Sequence, residues 1–400
     1  MSQSMFVNVT LIDGVGGSPL KDAAVLVDDE RIVSVGPMAQ VETPPRATVF
    51  DLRGKTLMPG LIEAHLHICG GSNPTPDALV STLVPFLALQ GAQNAEALLG
   101  AGYTTVRSLG APGYADVAVK QAIMKGMIPG PRLLVSGEPL SADGLRTGSP
   151  GAFLGVDGAR KAVRTQVSNG ADVIKLVPSG AVGSNAYTMP WDTEMTRDEM
   201  AAVADEAHRL GKKVAAHAYS PESVTDCVMA GIDSIEHGVM IDEPTIALMA
   251  EKGTALVPTM SAFDNYVRPG AEERFPSWRL ERGRPMAEIQ LANFEKYLEY
   301  NIRIAAGADG PRPGAPAGSQ TYELELMRQA GMPAMQVLLA ATKTAAEVLG
   351  LGDSLGTIEV GKFADLIVVD GNPLADVKVL QNRELVKLVM KGGQVYRSDL

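Results

Sequence analysis

The stretch Leu57-Met58-Pro59-Gly60-Leu61-Ile62-Glu63-Ala64-His65-Leu66-His67 divides the chain into two kinds of sequence. Pro59-Gly60 separates one short apolar run from the next. The second run, from Leu61, ends in two histidines one residue apart. In an extended strand such residues point to the same side, so two neutral imidazoles can hold one metal ion. Histidine is scarce, five in 400 residues. His65, His67, His217 and His237 all sit in short apolar, strand-like runs, which suggests metal chemistry.

Before this stretch, Phe6-Val-Asn-Val-Thr-Leu-Ile12, Ala24-Val-Leu-Val27 and Arg31-Ile-Val-Ser-Val35 read as short strands separated by turn residues. The far end of the chain is similar, with strands at Leu366–Asp370, Val386–Met390 and Gln394–Tyr396. Two β-rich ends predict one small β-sandwich domain built from residues 1–56 and 358–400. The middle, residues 57–357, alternates. Besides the Leu61 run, apolar strands recur at Thr104–Ser108, Arg132–Val135, Asp172–Val177, Lys213–His217, Ser234–His237, Ala255–Pro258 and Ile302–Asp309. Helical patterns lie between them, as at Arg197–Gly211 and Pro221–Gly231, both closing on glycine. The expected class is α/β: a (β/α)8 TIM barrel carrying the β-sandwich. Two irregular stretches, 138–158 and 260–285, follow the third and seventh strands and are expected to overhang the mouth.

Composition narrows the function classes. A formal net charge of −11 without runs of like charge argues against nucleic-acid and anionic-membrane partners. Two cysteines, Cys69 and Cys227, make no disulfide framework. The N-terminus has no signal-peptide pattern, and no apolar run is long enough for a membrane span. A soluble cytoplasmic enzyme with a small-molecule substrate is the expectation.

Barrel active sites gather residues from the C-terminal ends of strands. Taken in that way, the strands offer His65 and His67, Lys175, His217, His237 and Asp309. Four imidazoles and a carboxylate suit zinc or a similar divalent ion. His208 differs: it lies near a helix C-terminus beside Arg209, where a cation complements the helix dipole. Cys69 reads as a small packing residue. Lys175, between Ile174 and Leu176, is expensive to bury while charged. Its neutral amine can add carbon dioxide to form a carbamate able to bridge two metal ions; the plainer reading is a salt bridge to Asp172 or Glu236.

Together these segments resemble the amidohydrolase superfamily, and within it the imidazolonepropionase-like Xaa-Pro and Xaa-Arg dipeptidases. The resemblance runs from Gly60–His67 through Val173-Ile-Lys-Leu176, Glu206–Ala218, Ala230–Gly238 and Val257-Pro-Thr259 to Gly361–Asp370. It implies that His65, His67 and Asp309 hold one zinc ion and His217 and His237 the other. Carbamylated Lys175 bridges the two, and family relatives are often homo-oligomers. Tyr219 matches a tyrosine that in such relatives helps bind the substrate carbonyl or carboxylate. Relatives usually carry a Gly-Gly-His element after the third strand, whose histidine contacts substrate. Here Pro139–Gly148 contains no histidine, and Arg146 is the candidate to replace it.

The implied reaction is hydrolysis of an amide-type C–N bond, in a dipeptide or N-acyl amino acid, by a hydroxide shared between two ions. Asp309 relays the proton to the leaving nitrogen. The altered loop leaves carbamate, urea, ester and lactone substrates as an alternative. A deaminase does not need the bridging lysine, and a non-catalytic scaffold typically loses ligands.

Overall fold

The computed structural model describes residues 3–71, 83–142, 151–183 and 189–400. The chain opens with β1 (Gln3–Leu11), β2 (Leu20–Asp28), β3 (Arg31–Pro37), β4 (Thr48–Asp51) and β5 (Thr56–Pro59). The middle contributes β6 (Leu61–Leu66), β7 (Tyr103–Ser108), β8 (Arg132–Val135), β9 (Leu140–Ala142), β10 (Ala152–Phe153), β11 (Val173–Val177), β12 (Lys213–Ala218), β13 (Ser234–His237) and β14 (Ala255–Val257). The chain closes with β15 (Leu366–Val369), β16 (Val386–Lys391) and β17 (Gln394–Ser398). Both ends share one eight-stranded sheet, ordered β17-β16-β15-β5-β1-β2-β3 with β4 beside β1. The period-2 geometry of a strand explains the unbroken apolar run in β15. Ile367 and Val369 enter the core shared with the middle of the chain, while Leu366 and Val368 enter a second core with Phe6, Val25 and Leu57.

The middle of the chain is α/β, with parallel strands separated by helices. One parallel sheet runs β6-β7-β8 and the other β10-β9-β11-β12-β13-β14. Between them, Asp172 N donates to Val135 O at 2.8 Å. On the other side lies 302–310, which contains Ile302–Asp309, expected as the eighth strand. It makes only isolated parallel bridges, Leu256 to Ile304 and Leu66 to Gly310. Ala64 N donates to Ala306 O (2.9 Å) and Asp309 N to His65 O (2.7 Å). At Asp309 the backbone turns out of strand geometry, with φ +52°. Gly307 is pressed so closely on this wall that a Cβ would lie 2.5 Å from Val257 Cγ1.

Local signals fix the helix starts. Thr196 and Glu199 form a capping box for Arg197–Arg209, and Asp242 caps Glu243–Lys252. The stretch 260–285, expected to be irregular, is largely helical: Met260–Asp264, Ala271–Arg274 and the start of Ser277–Glu299. Pro269-Gly270 and Pro276 divide it into pieces too short for a helical period to show. Among the described residues no helix is long and apolar enough to cross a membrane.

Candidate metal centre and active site

Each strand delivers its polar residue to one place. His65 is the fifth residue of β6 and His67 follows its end; Lys175 is central in β11; His217 lies in β12; His237 ends β13. With Asp309 and Tyr219 they line a single cavity of about 220 Å³. The ring centroids of His217 and His237 are 4.5 Å apart, and those of His65 and His237 5.1 Å. Ligand atoms of His65, His237 and Asp309 all lie within 4.8 Å of one another.

The hydrogen bonds behind the imidazoles set their tautomers. His65 Nδ1 faces Glu236 Oε2 at 2.7 Å, and His67 Nδ1 faces Gly110 O at 3.1 Å. His217 Nε2 faces Gly180 O at 3.1 Å. Carbonyls and carboxylates only accept, so these nitrogens carry the protons. Thr259 Oγ1 donates to Pro258 O, so it accepts from His237 Nδ1 at 2.7 Å. In neutral rings the lone pairs are therefore Nε2 of His65, His67 and His237 and Nδ1 of His217. His67 Nε2 and His65 Nε2 lie 3.2 and 3.5 Å from Asp309 Oδ1. Acceptors facing acceptors across one cavity are a donor set that fits a divalent cation.

Electrostatics favour the ligand forms. Burial and then the Lys175 charge hold His65 down, to about 4. Burial and the charge of His65 hold His237 well below its usual range. For Asp309, burial pushes up, but Arg312, His65 and His67 more than offset it and keep the carboxyl well below normal. Arg312 Nη2 sits 3.2 Å from Asp309 Oδ2. Burial keeps the Tyr219 hydroxyl protonated far above its usual value. His237, Thr259 and Asp309 all have positive φ (77°, 51° and 52°). Such backbone costs about 1–3 kcal/mol per residue and gathers at functional sites.

Comparison with known proteins agrees with this geometry. The family model described as "Amidohydrolase family" matches residues 56–396. The chain belongs to the amidohydrolase family. Ochratoxinase of Aspergillus niger is 31% identical, over 95% of this chain and 84% of that protein. The crystal structure of a prolidase complexed with N-methylphosphonate-L-proline superposes with a TM-score of 0.91 at 29% identity, over 99% of this chain and 100% of the other. A Xaa-Pro dipeptidase with methionine in its active site gives 0.90 at 30% identity, over 99% and 100%. This amidohydrolase is thus an enzyme of a family that acts on amide-type bonds.

The amidohydrolase site brings together His65, His67, Lys175, His217, His237, Asp309 and Tyr219. His208 is outside it, bonded to Asp233 Oδ2 at 2.8 Å. Cys69 packs in the core, its thiol pushed up by burial. Asp172, one salt-bridge candidate for Lys175, holds Lys120 at 2.6 Å. Arg146 lies outside the described residues. Several contacts that support the site are not evident from the sequence. Glu236 holds both His65 and Arg107 Nη2 (2.9 Å). Glu63 Oε1 accepts from His65 N and Ala308 N, tying β6 to the Asp309 segment. Arg279 and Arg312 also line the cavity. Glu63 does lie in the quoted stretch, two residues before His65, and a carboxylate inside an apolar strand was its visible signal.

Proposed function

We propose that this amidohydrolase is a binuclear metal-dependent hydrolase that cleaves the amide C–N bond of a dipeptide or N-acyl amino acid. What supports this reading is the convergence of four histidines, Lys175 and Asp309 on one cavity. His65, His67 and Asp309 would hold one divalent ion, zinc by ligand type, and His217 and His237 the other. Lys175, N-carboxylated by carbon dioxide, would lie between them. When bound, the ions supply an acidified water and polarise the substrate carbonyl. Asp309 accepts that water's proton at Oδ1 as the carbon–oxygen bond forms, and delivers it to the nitrogen as the C–N bond breaks. Arg312 keeps this carboxyl ionised between turnovers. The protonated Tyr219 hydroxyl donates to the substrate carbonyl oxygen. Phe263, Val182 and Tyr266 line the cavity and limit access of bulk water.

The fold completes the proposal. We read the parallel strands as a closed (β/α)8 barrel, supported by the bridges from β14 through 302–310 to β6. The terminal sheet, from 1–56 and 358–400, serves as the small β-sandwich domain. The test is metal analysis joined to a panel of dipeptides, N-acyl amino acids, carbamates and ureas. Two ions per chain and turnover of the first two classes are expected. Asp309→Asn should lower kcat about 10²–10⁴-fold while keeping much of the metal, and Lys175→Ala should lose metal. Fewer than one ion per chain with no turnover would overturn the reading.

A further inference from the structure

A second cavity of about 420 Å³ adjoins the metal cavity. The two share His67, Pro139, Tyr266, Arg279, Asp309 and Arg312, so Arg279 stands where one opens into the other. Arg279 is the third residue of the helix Ser277–Glu299. Its Nε donates to the Tyr266 hydroxyl at 3.1 Å, and its guanidinium lies 5.1 Å from the Phe275 ring centroid and 5.7 Å from that of Tyr266. Those two rings pack together at 4.8 Å and are buried. On the other side, the backbone at Gly183 approaches so closely that a Cβ there would lie 3.0 Å from Arg279 Nη2. The fork is thus held in place before any ligand arrives.

Among the described residues, several partly or fully buried arginines face carboxylates, Arg107 with Glu236, Arg132 with Asp365, Arg268 with Asp264 and Arg312 with Asp309, while Arg274 is held by the backbone carbonyls of Asn265, Arg268 and Pro269. Among the described residues, Arg279 pairs with a tyrosine hydroxyl and two rings, and with no carboxylate. A guanidinium cannot shed its charge, and its planar fork matches a carboxylate. It lies close enough to Tyr219 that its charge acts on that hydroxyl. We propose that Arg279 binds the free carboxylate of the substrate, so that the preferred substrates are N-acyl amino acids or dipeptides with an unblocked C-terminus, not neutral amides, ureas or carbamates. The inference rests on the amide-hydrolase reading above and adds to it a carboxylate requirement and the residue that imposes it. The carboxylate belongs to the leaving amino acid, and Tyr266 and Phe275 offer apolar walls beside it.

The test compares N-acetyl-L-phenylalanine with N-(2-phenylethyl)acetamide, which has the same amide and ring without the carboxylate. Wild-type, Arg279→Met and Arg279→Lys proteins are assayed metal-loaded, and binding of both compounds is measured by calorimetry. Wild type should favour the acid. Arg279→Met should raise KM for the acid about 10- to 100-fold, the worth of a charge-assisted hydrogen bond, and barely change kcat/KM for the neutral compound. Arg279→Lys should retain part of the preference. Equal treatment of acid and neutral compound by wild type, or a preference that survives in Arg279→Met, overturns the inference. If no amide is cleaved at all, the hydrolase reading fails, and the calorimetric preference for the acid, kept or lost in Arg279→Met, still decides the role of Arg279.

Discussion

Glu236 forms hydrogen bonds on both of its carboxylate oxygens. Oε2 meets His65 Nδ1 at 2.7 Å, while Oε1 meets Arg107 Nη2 at 2.9 Å and Ser234 Oγ at 2.6 Å. Burial alone would raise its pKa; Arg107, His65 and Lys175 more than offset that and hold it at about 2. An ionised carboxylate behind an imidazole fixes the tautomer and raises the basicity of the far nitrogen. Glu236→Gln should therefore weaken metal binding about 10- to 100-fold. It should also destabilise the fold by about 3 kcal/mol, because Arg107 is left buried beside a neutral amide. Metal titration and chemical denaturation measure the two effects separately; unchanged affinity would remove Glu236 from the support of the site. The histidines that line the cavity were legible in the sequence because histidines in apolar strands have few structural uses. Arg279 and the place of Glu236 behind His65 were not, since an arginine in a charged segment and a carboxylate beside a histidine look ordinary until the fold surrounds them.

At the scale of elements, the strands were legible because runs such as Val173–Val177 are buried throughout. The segment 302–309 reads as a strand for the same reason, its apolar residues being buried against β14 and β6. The helices after β14 were hidden because a distant residue organises them. Glu323 accepts from Met260 N and Ser261 N, both at 2.7 Å, at the start of Met260–Asp264. Burial lifts this carboxyl to about 7 despite those bonds. Between the ordinary value of 4.5 and about 7, the folded chain then holds a proton that the unfolded chain has released. This contribution to stability is complete below that window and declines as pH rises through it, by about 3 kcal/mol in all. Glu323→Gln cannot titrate, so its stability difference between pH 5 and pH 7.5 should shift from that of wild type by most of that amount, about 2 kcal/mol. Urea denaturation at the two pH values checks this, and an identical difference in both proteins would refute it.

At the scale of the molecule, the two chain ends are part of the active-site scaffold. β15 pairs with β5 in register from Leu366–Pro59 to Val369–Thr56. β5 passes through Gly60 directly into β6, which bears His65. At that joint Gly60 N donates to Asp365 O at 2.8 Å, and Asp365 Oδ1 accepts from Gly392 N beyond β16. Val386 and Val389 of β16 belong to the same core as Leu61, Leu66 and Val106. Removing residues 386–400 would strip one edge of β15 and expose Ile367 and Val369, which are fully buried in the intact chain. Each such side chain contributes about 1.5–3 kcal/mol on burial, and an exposed apolar strand edge invites aggregation. The truncated chain should therefore unfold at a markedly lower temperature or aggregate, and should lose metal with its fold, although every proposed ligand is still present. A truncated protein that keeps the wild-type melting temperature and metal content would show that the strand carrying His65 is held by the middle of the chain alone.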